Sequence, residues 1–238
     1  MDTALEPIHL TSRDGRAMKA LLAEGDLGAP GVVILHGYGS RKDNHTDFAA
    51  RLRARGLWVL VPDLRGHGGT PGPMDEGMIG DVLACLNDLT QRGAGPLGLR
   101  GSSMGGFLAL TCAPLHADVR AVVALCPARP ESLAARLSDD WPLRHPLGPP
   151  SWSRDGIARG FWHATGDEVV PWGNTYDLWS RATQPKHLRV EMGGHHRSLQ
   201  HDPRIQADTE AFLLRHLASG DTPVADTSTT FDERGAVP

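Results

Sequence analysis

Cysteine is scarce in this chain of 238 residues, and the common metal-ligand patterns are missing. Cys85, Cys112 and Cys126 lie far apart, each inside an apolar run. They read as small buried hydrophobes, which excludes a disulfide framework. Neither C-x-x-C nor H-E-x-x-H occurs, so no metal is expected. No apolar run approaches the roughly 20 residues that cross a bilayer, so no membrane span is expected. The opening MDTALEPIHL has neither a basic segment nor a continuous apolar one. No secretory leader is expected from it, and a cytoplasmic setting is the default. Clustered positive charge is absent as well, which argues against nucleic acid as a partner. The net charge is −4, and residues 219–238 carry most of it, with Asp221, Asp226, Asp232 and Glu233 set against Arg234. No internal repeat is found, and nothing in the sequence speaks to the oligomeric state.

What remains is the composition of a globular chain able to bury a large core, 40% hydrophobic and 22% charged. Residues 6–24 read as two short strands around Asp14-Gly15, a hairpin signal. After them, buried apolar runs alternate with amphipathic stretches. The runs are 31–35, 57–61, 97–100, 119–125, 160–164 and 187–192, and the helical stretches are 43–55, 78–90, 104–112, 175–181 and 203–217. Asp202-Pro203 opens the last helix with an N-cap and a proline at the first position. This alternation predicts an α/β fold, a mostly parallel sheet with helices on both faces. Six prolines fall between Pro127 and Pro150, breaking the rhythm, so about 127–156 reads as an insertion. After Ser219 hydrophobes thin out, and a disordered tail is expected over 219–238. The organisation is thus one domain, 1–218, followed by that tail.

Every unusual loop follows a strand: 36–40, 63–70, 101–106, 165–168 and 193–196. In open sheets of this kind the site lies beyond the carboxyl ends of the strands. The central loop, Gly101-Ser102-Ser103-Met104-Gly105, is a G-x-S-x-G elbow between a strand and a helix, which forces its serine into a strained turn with the hydroxyl raised above the sheet. Only Ser103 has glycine two residues away on both sides, so Ser103 is the expected nucleophile. A serine hydroxyl needs a base, and the base a carboxylate to orient it. In chain order Ser, acid, His, the acid candidates at a strand end are Asp167 and Glu168; Asp167, first after the turn, is preferred. The order removes His36, His45, His67, His116 and His145. His163 and His187 lie in strands, His216 lies in a helix, and His201 sits before the Asp202 cap, where a structural role is expected. His195 and His196 compete, with His196 preferred because the turn spends two or three residues before the base. The oxyanion calls for backbone donors, expected from Met104 at the start of its helix and from Tyr38 in the Gly-rich 36–40 loop. Arg65 and His67 are expected to fix their own loop. His36, Trp141 and Trp152 are candidates for substrate contact, the two tryptophans as the roof of an apolar acyl pocket.

Taken together, HGYGS at 36–40, DLRGHG at 63–68, GSSMGG at 101–106, HATGDEVVP at 163–171 and GGHHR at 193–197 resemble the α/β-hydrolase superfamily over residues 6–217. The likeness is to its smaller esterase, acylglycerol-lipase and serine-peptidase-like members. The resemblance implies an eight-stranded, mostly parallel sheet with a small lid after the sixth strand, a Ser103–Asp167–His196 triad and no cofactor. It implies a small-molecule acyl substrate, with an ester cleaved through an acyl-enzyme as the first expectation. A peptide or an acyl thioester is the alternative. Thr70-Pro71 after GHG departs from the pattern, where a serine is common.

Overall fold

The computed structural model describes residues 5–129, 150–151, 154–218 and 229–231. Trp141, Trp152, most of the expected lid and most of the expected tail lie outside the described residues.

The opening hairpin pairs β1 (Glu6–Thr11) with β2 (Ala17–Ala23) antiparallel, turning through Gly15 at φ 81°. There follow β3 (Gly31–Leu35), α1 (Thr46–Arg53), β4 (Trp58–Pro62), α2 (Gly77–Gln91), β5 (Leu97–Ser102), α3 (Met104–Cys112) and β6 (Val119–Leu125). The chain continues through β7 (Ala158–Ala164), α4 (Trp172–Arg181), β8 (Lys186–Glu191), α5 (Ser198–His201) and α6 (Pro203–Leu217) to β9 (Thr229–Phe231). The helix expected from 43 begins instead as a 3₁₀ turn, Lys42–His45. α5 is a turn of helix the sequence reading did not separate from the loop before Asp202.

The strand order is β1-β2-β4-β3-β5-β6-β7-β8-β9, antiparallel at β1/β2 and β2/β4 and parallel from β4 onward. A ninth strand adds to the eight expected and lies within the stretch expected as a tail. β8 would otherwise end the sheet with an unpaired ladder, and Thr229-Thr230-Phe231 is a β-branched and aromatic triplet suited to pair with it. Among the described residues no helix is long and apolar enough to cross a membrane.

Strands buried on both faces explain the unbroken apolar runs. Along β3, Val33 and Leu35 face one core with Met78, Val82 and Leu86 of α2 and Phe107 of α3. Val32 and Ile34 face the other, with Phe48 and Leu52 of α1 and Phe212, Leu213 and Leu217 of α6. From β3 the chain steps outward to β4, then crosses back to the other side of β3 to form β5. That reversal opens a crevice beyond the carboxyl ends of β3 and β5, where 36–40 and 101–104 meet.

The last helix keeps its start through Asp202, whose Oδ1 accepts from the backbone N–H of Arg204 at 2.8 Å and of Ile205 at 3.4 Å, with Pro203 at the first helical position. Replacing Asp202 by alanine is expected to cost about 1 kcal/mol in urea unfolding, with asparagine retaining most of the stability. Equal stability of the alanine variant would contradict a capping role.

Candidate active site

β5 passes into α3 through a single residue, Ser103, held at φ 52°, ψ −118°. A side chain costs strain in that left-handed region. The neighbours explain why it cannot relax. A Cβ on Gly101 would lie 2.1 Å from the Gly105 carbonyl oxygen, and one on Gly105 would lie 2.3 Å from that of Leu35. Both glycines are steric requirements of strand and helix packed backbone to backbone. Ser103 is pinned further by its own N–H, which donates to the Leu125 carbonyl at 2.8 Å, and by its carbonyl, which accepts from Ala128 at 3.0 Å.

The loops after β7 and β8 are joined to each other. The Gly166 N–H donates to the Gly193 carbonyl at 2.8 Å, and the Gly193 N–H to the Thr165 hydroxyl at 2.8 Å. This junction sets Asp167 against His196, whose Nδ1–H donates to Asp167 Oδ2 at 2.7 Å. Asp167 Oδ1 accepts from the N–H groups of Val169 and Val170, both at 2.8 Å. Burial pushes the Asp167 carboxyl up, but the bonds from His196, Val170 and Val169 outweigh it and hold the pKa below the ordinary value. Glu168 is exposed and accepts from the His196 backbone N–H at 3.2 Å. Of the two competing histidines, His196 is the one that meets the acid. His195 is exposed, and its Nδ1 accepts from the Arg197 N–H at 3.3 Å. Buried His163 lies 3.8 Å from Asp167, but its ring is engaged by Thr175 and Val170, and burial lowers its pKa. Cys126 is a buried free thiol that also stands in the left-handed region, at φ 42°. Its sulfur lies within 4.8 Å of both members of the Asp167–His196 pair.

The loop carrying Tyr38 is braced by the DLRGHG loop beneath it. His36 Nε2 accepts from the Leu64 N–H at 3.0 Å, and His67 Nε2 from the Gly39 N–H at 3.0 Å. The rings of His36, His67 and Tyr38 then pack edge to face in succession. Asp63 accepts from the N–H groups of Lys42 and Gly69 and from the Lys42 ammonium at 3.1 Å. Arg65 is buried and grips Asp81 of α2 through two bonds of 2.6 and 2.7 Å, with Asp75 and Asp14 beside it. Arg65 and His67 thus fix the loop, as the sequence predicts. His36 is a correction. It is wholly buried, its Nδ1–H is spent on the Gly37 carbonyl at 2.8 Å, and it supports the loop from below instead of touching a substrate.

Ser103 and His196 line one cavity of about 420 Å³ with Gly37, Tyr38 and Gly39. Met104, next to Ser103, is the first residue of α3, so its N–H has no acceptor within the helix. Sequence reasoning missed the rest of the wall: Ser40, Asn44, Arg197, Gln200 and His201. The signal available was position, since Arg197, Gln200 and His201 all fall within five residues of His196, ahead of the Asp202 cap. The arrangement can bring an alcohol nucleophile, an oriented imidazole and backbone donors to one carbonyl.

A family model described as serine aminopeptidase, S33 matches residues 30–141. "Lipase 3" of Moraxella sp. (strain TA144) is 34% identical over 117 residues, 47% of this chain and 35% of that protein. The mouse "sn-1-specific diacylglycerol lipase ABHD11" is 37% identical over 102 residues, 41% of this chain and 32% of that one. The chain thus spans about a third of the length of these relatives. The solved Pyrococcus furiosus esterase Pf2001 superposes with a TM-score of 0.73 at 17% identity, covering 90% of this chain and 93% of that one, a likeness of fold.

Two buried histidines near the site contribute to a loss of stability in acid. Burial draws His36 down to about 4, with His67 adding to the shift. Burial and then Arg100 draw His45 down to about 3. In the unfolded chain both take up a proton near about pH 6.5. The unfolded state therefore binds more protons below that pH. Stability is whole above about pH 6.5 and falls as the pH drops toward 4, by up to about 1.4 kcal/mol per pH unit for each group. Urea unfolding between about pH 7 and 4 is expected to show this decline. His45→Phe, which cannot take the proton, is expected to flatten it; an unaltered slope in that variant would refute the assignment.

Proposed function

We propose that the chain, built on the fold that solved α/β-hydrolases share with it, is a serine hydrolase of carboxylic esters. The observation that carries the reading is the strained Ser103 on the same cavity as the 2.7 Å His196–Asp167 pair. Ser103 Oγ attacks the ester carbonyl carbon while His196 Nε2 takes its proton. Asp167 holds the Nδ1–H and balances the imidazolium that forms. The tetrahedral oxyanion is received by the N–H groups of Tyr38 and Met104. Collapse expels the alcohol, which takes the proton back from His196, and water then releases the acyl group by the same steps in reverse roles. The short lid expected from the sequence suits short to medium acyl chains.

The same triad would serve a peptide or a thioester, and the matching family model is described as an aminopeptidase. An aminopeptidase needs a carboxylate for the substrate's α-ammonium group, and no acidic residue is among the described residues that line the cavity. That observation favours the ester. Glu131, Asp139 and Asp140, the acidic candidates of the insertion, lie outside the described residues.

Turnover of p-nitrophenyl acetate and butyrate is expected from the wild type. In Ser103→Ala it should fall by about a thousandfold or more, with loss of fluorophosphonate labelling. Equal rates for the two proteins would overturn the assignment. Parallel assays on aminoacyl amides and acyl-CoA thioesters rank the alternative bonds.

A further inference from the structure

The described wall of the cavity holds neither a carboxylate nor an aliphatic side chain. Besides the 37–39 backbone, Ser102, Ser103 and His196, it is built from Ser40, Asn44, Arg197, Gln200 and His201. Asn44 Nδ2 donates to the Ser40 hydroxyl at 3.1 Å, which leaves the Ser40 proton to donate. Arg197 directly follows the base in sequence. Among the described residues no carboxylate lies within ion-pair distance of its guanidinium.

Arg197 and Asn44 are exposed at the mouth of the cavity, while Gln200 and His201 are braced from behind. Gln200 Oε1 accepts from the Ser102 hydroxyl at 3.2 Å, and Gln200 Nε2 donates to His201 Nε2 at 2.8 Å. His201 Nδ1–H donates in turn to Asp47 at 2.9 Å, and Gln206 braces both Asp47 and the Gln200 carbonyl. Arg100 donates to that same carbonyl at 3.2 Å from a fully buried position, its guanidinium 3.9 Å over the Phe48 ring and its Nε without a partner among the described residues. Burial lowers Arg100 to about 10, so it remains a cation at neutral pH. A buried positive charge thus stands behind α5, and Arg197 stands in front of it. The one acid of the network, Asp47, is already engaged by His201 and Gln206. The braced Gln200 and His201 form a fixed floor beside the Arg197 guanidinium, and the complement of a wall flanked by two cations is negative.

We propose that the cavity binds a substrate carboxylate against Arg197, with Ser40 and Asn44 as flanking donors, so that the preferred ester carries a second, ionised carboxyl group a few bonds from the scissile carbonyl. This rests on the ester-hydrolase reading above for the reaction, and on the α5 wall alone for the binding. A charge-assisted pair of this kind discriminates by about tenfold.

Three methyl esters of similar length separate the contributions, with hydrolysis followed by titration of released acid: monomethyl succinate (anionic), methyl levulinate (neutral, polar) and methyl pentanoate (apolar). Monomethyl succinate is expected to exceed both others about tenfold in kcat/KM. The preference should shrink at high ionic strength. It should collapse in Arg197→Gln and survive in part in Arg197→Lys. Calorimetric titration of monomethyl succinate into Ser103→Ala reads binding without catalysis and should lose its signal when Arg197→Gln is added. Hydrolysis of all three esters at similar rates, or a preference indifferent to Arg197, overturns the proposal and leaves the ester-hydrolase reading intact. Arg197-dependent binding with no ester turned over supports the carboxylate site and overturns that reading instead. Levulinate matching succinate would assign the wall to polarity without charge, and so would also overturn it.

Discussion

A single steric contact governs the site: the backbone of Gly101 in β5 lies against that of Gly105 in α3, and Gly105 in turn lies against the Leu35 and His36 carbonyls. Three segments meet where only hydrogen fits. Because strand, helix and neighbouring strand touch there, the chain must turn within one residue. Ser103 is left in a left-handed conformation from which neither side can move away. The strain is over-determined by packing, which is the condition under which such geometry persists. The same closeness draws Gly37 against Ser103, since a Cβ at 37 would come within 3.3 Å of the serine Cβ. Ser103 and the 36–40 loop are thus set by the same three-way contact.

The remaining parts are held by separate devices. The 36–40 loop rests on the 63–69 loop through two neutral histidines that accept backbone bonds, and on a buried Arg65 that ties the second loop to α2 and the first hairpin. Asp167 and His196 are joined by the junction of the β7 and β8 loops. Polar groups that would be costly if buried alone are each satisfied by a bond that also aims a functional group. Stability and function therefore share the same atoms here.

The strand-ending loops were legible because their residues are sterically or chemically irreplaceable in short spans: the elbow glycines, the Asp after Thr165-Gly166, the histidine two residues past Gly194. Hydrophobic runs located eight strands for the same local reason. The Arg65–Asp81 grip joins residues whose pairing only tertiary contact reveals. His36 was misread because a histidine at a strand end looks the same in sequence whether it faces the cavity or the loop beneath. β9 escaped notice because three residues in a polar tail carry no periodicity, and what makes them a strand is the open edge of β8. The α5 wall was illegible because Gln200 and His201 are held by a network with Ser102, Asp47 and Gln206 that spans four separate segments.

The strand order has a further consequence. Ser103 and Asp167 stand at the ends of β5 and β7, which never touch, because β6 runs between them. β6 works as a spacer. Two inter-strand steps of about 4.8 Å each set the gap that the imidazole from beyond β8 must bridge. At the end of this spacer sits Cys126, beside the Asp167–His196 pair and one residue from the carbonyl that holds the Ser103 N–H. Small changes in the layers above and below Val122 and Val123 would thus alter the reach required of His196 without altering any reacting residue. The alignment of Ser103 with the His196–Asp167 pair is a dimension of the sheet as much as a property of the three side chains.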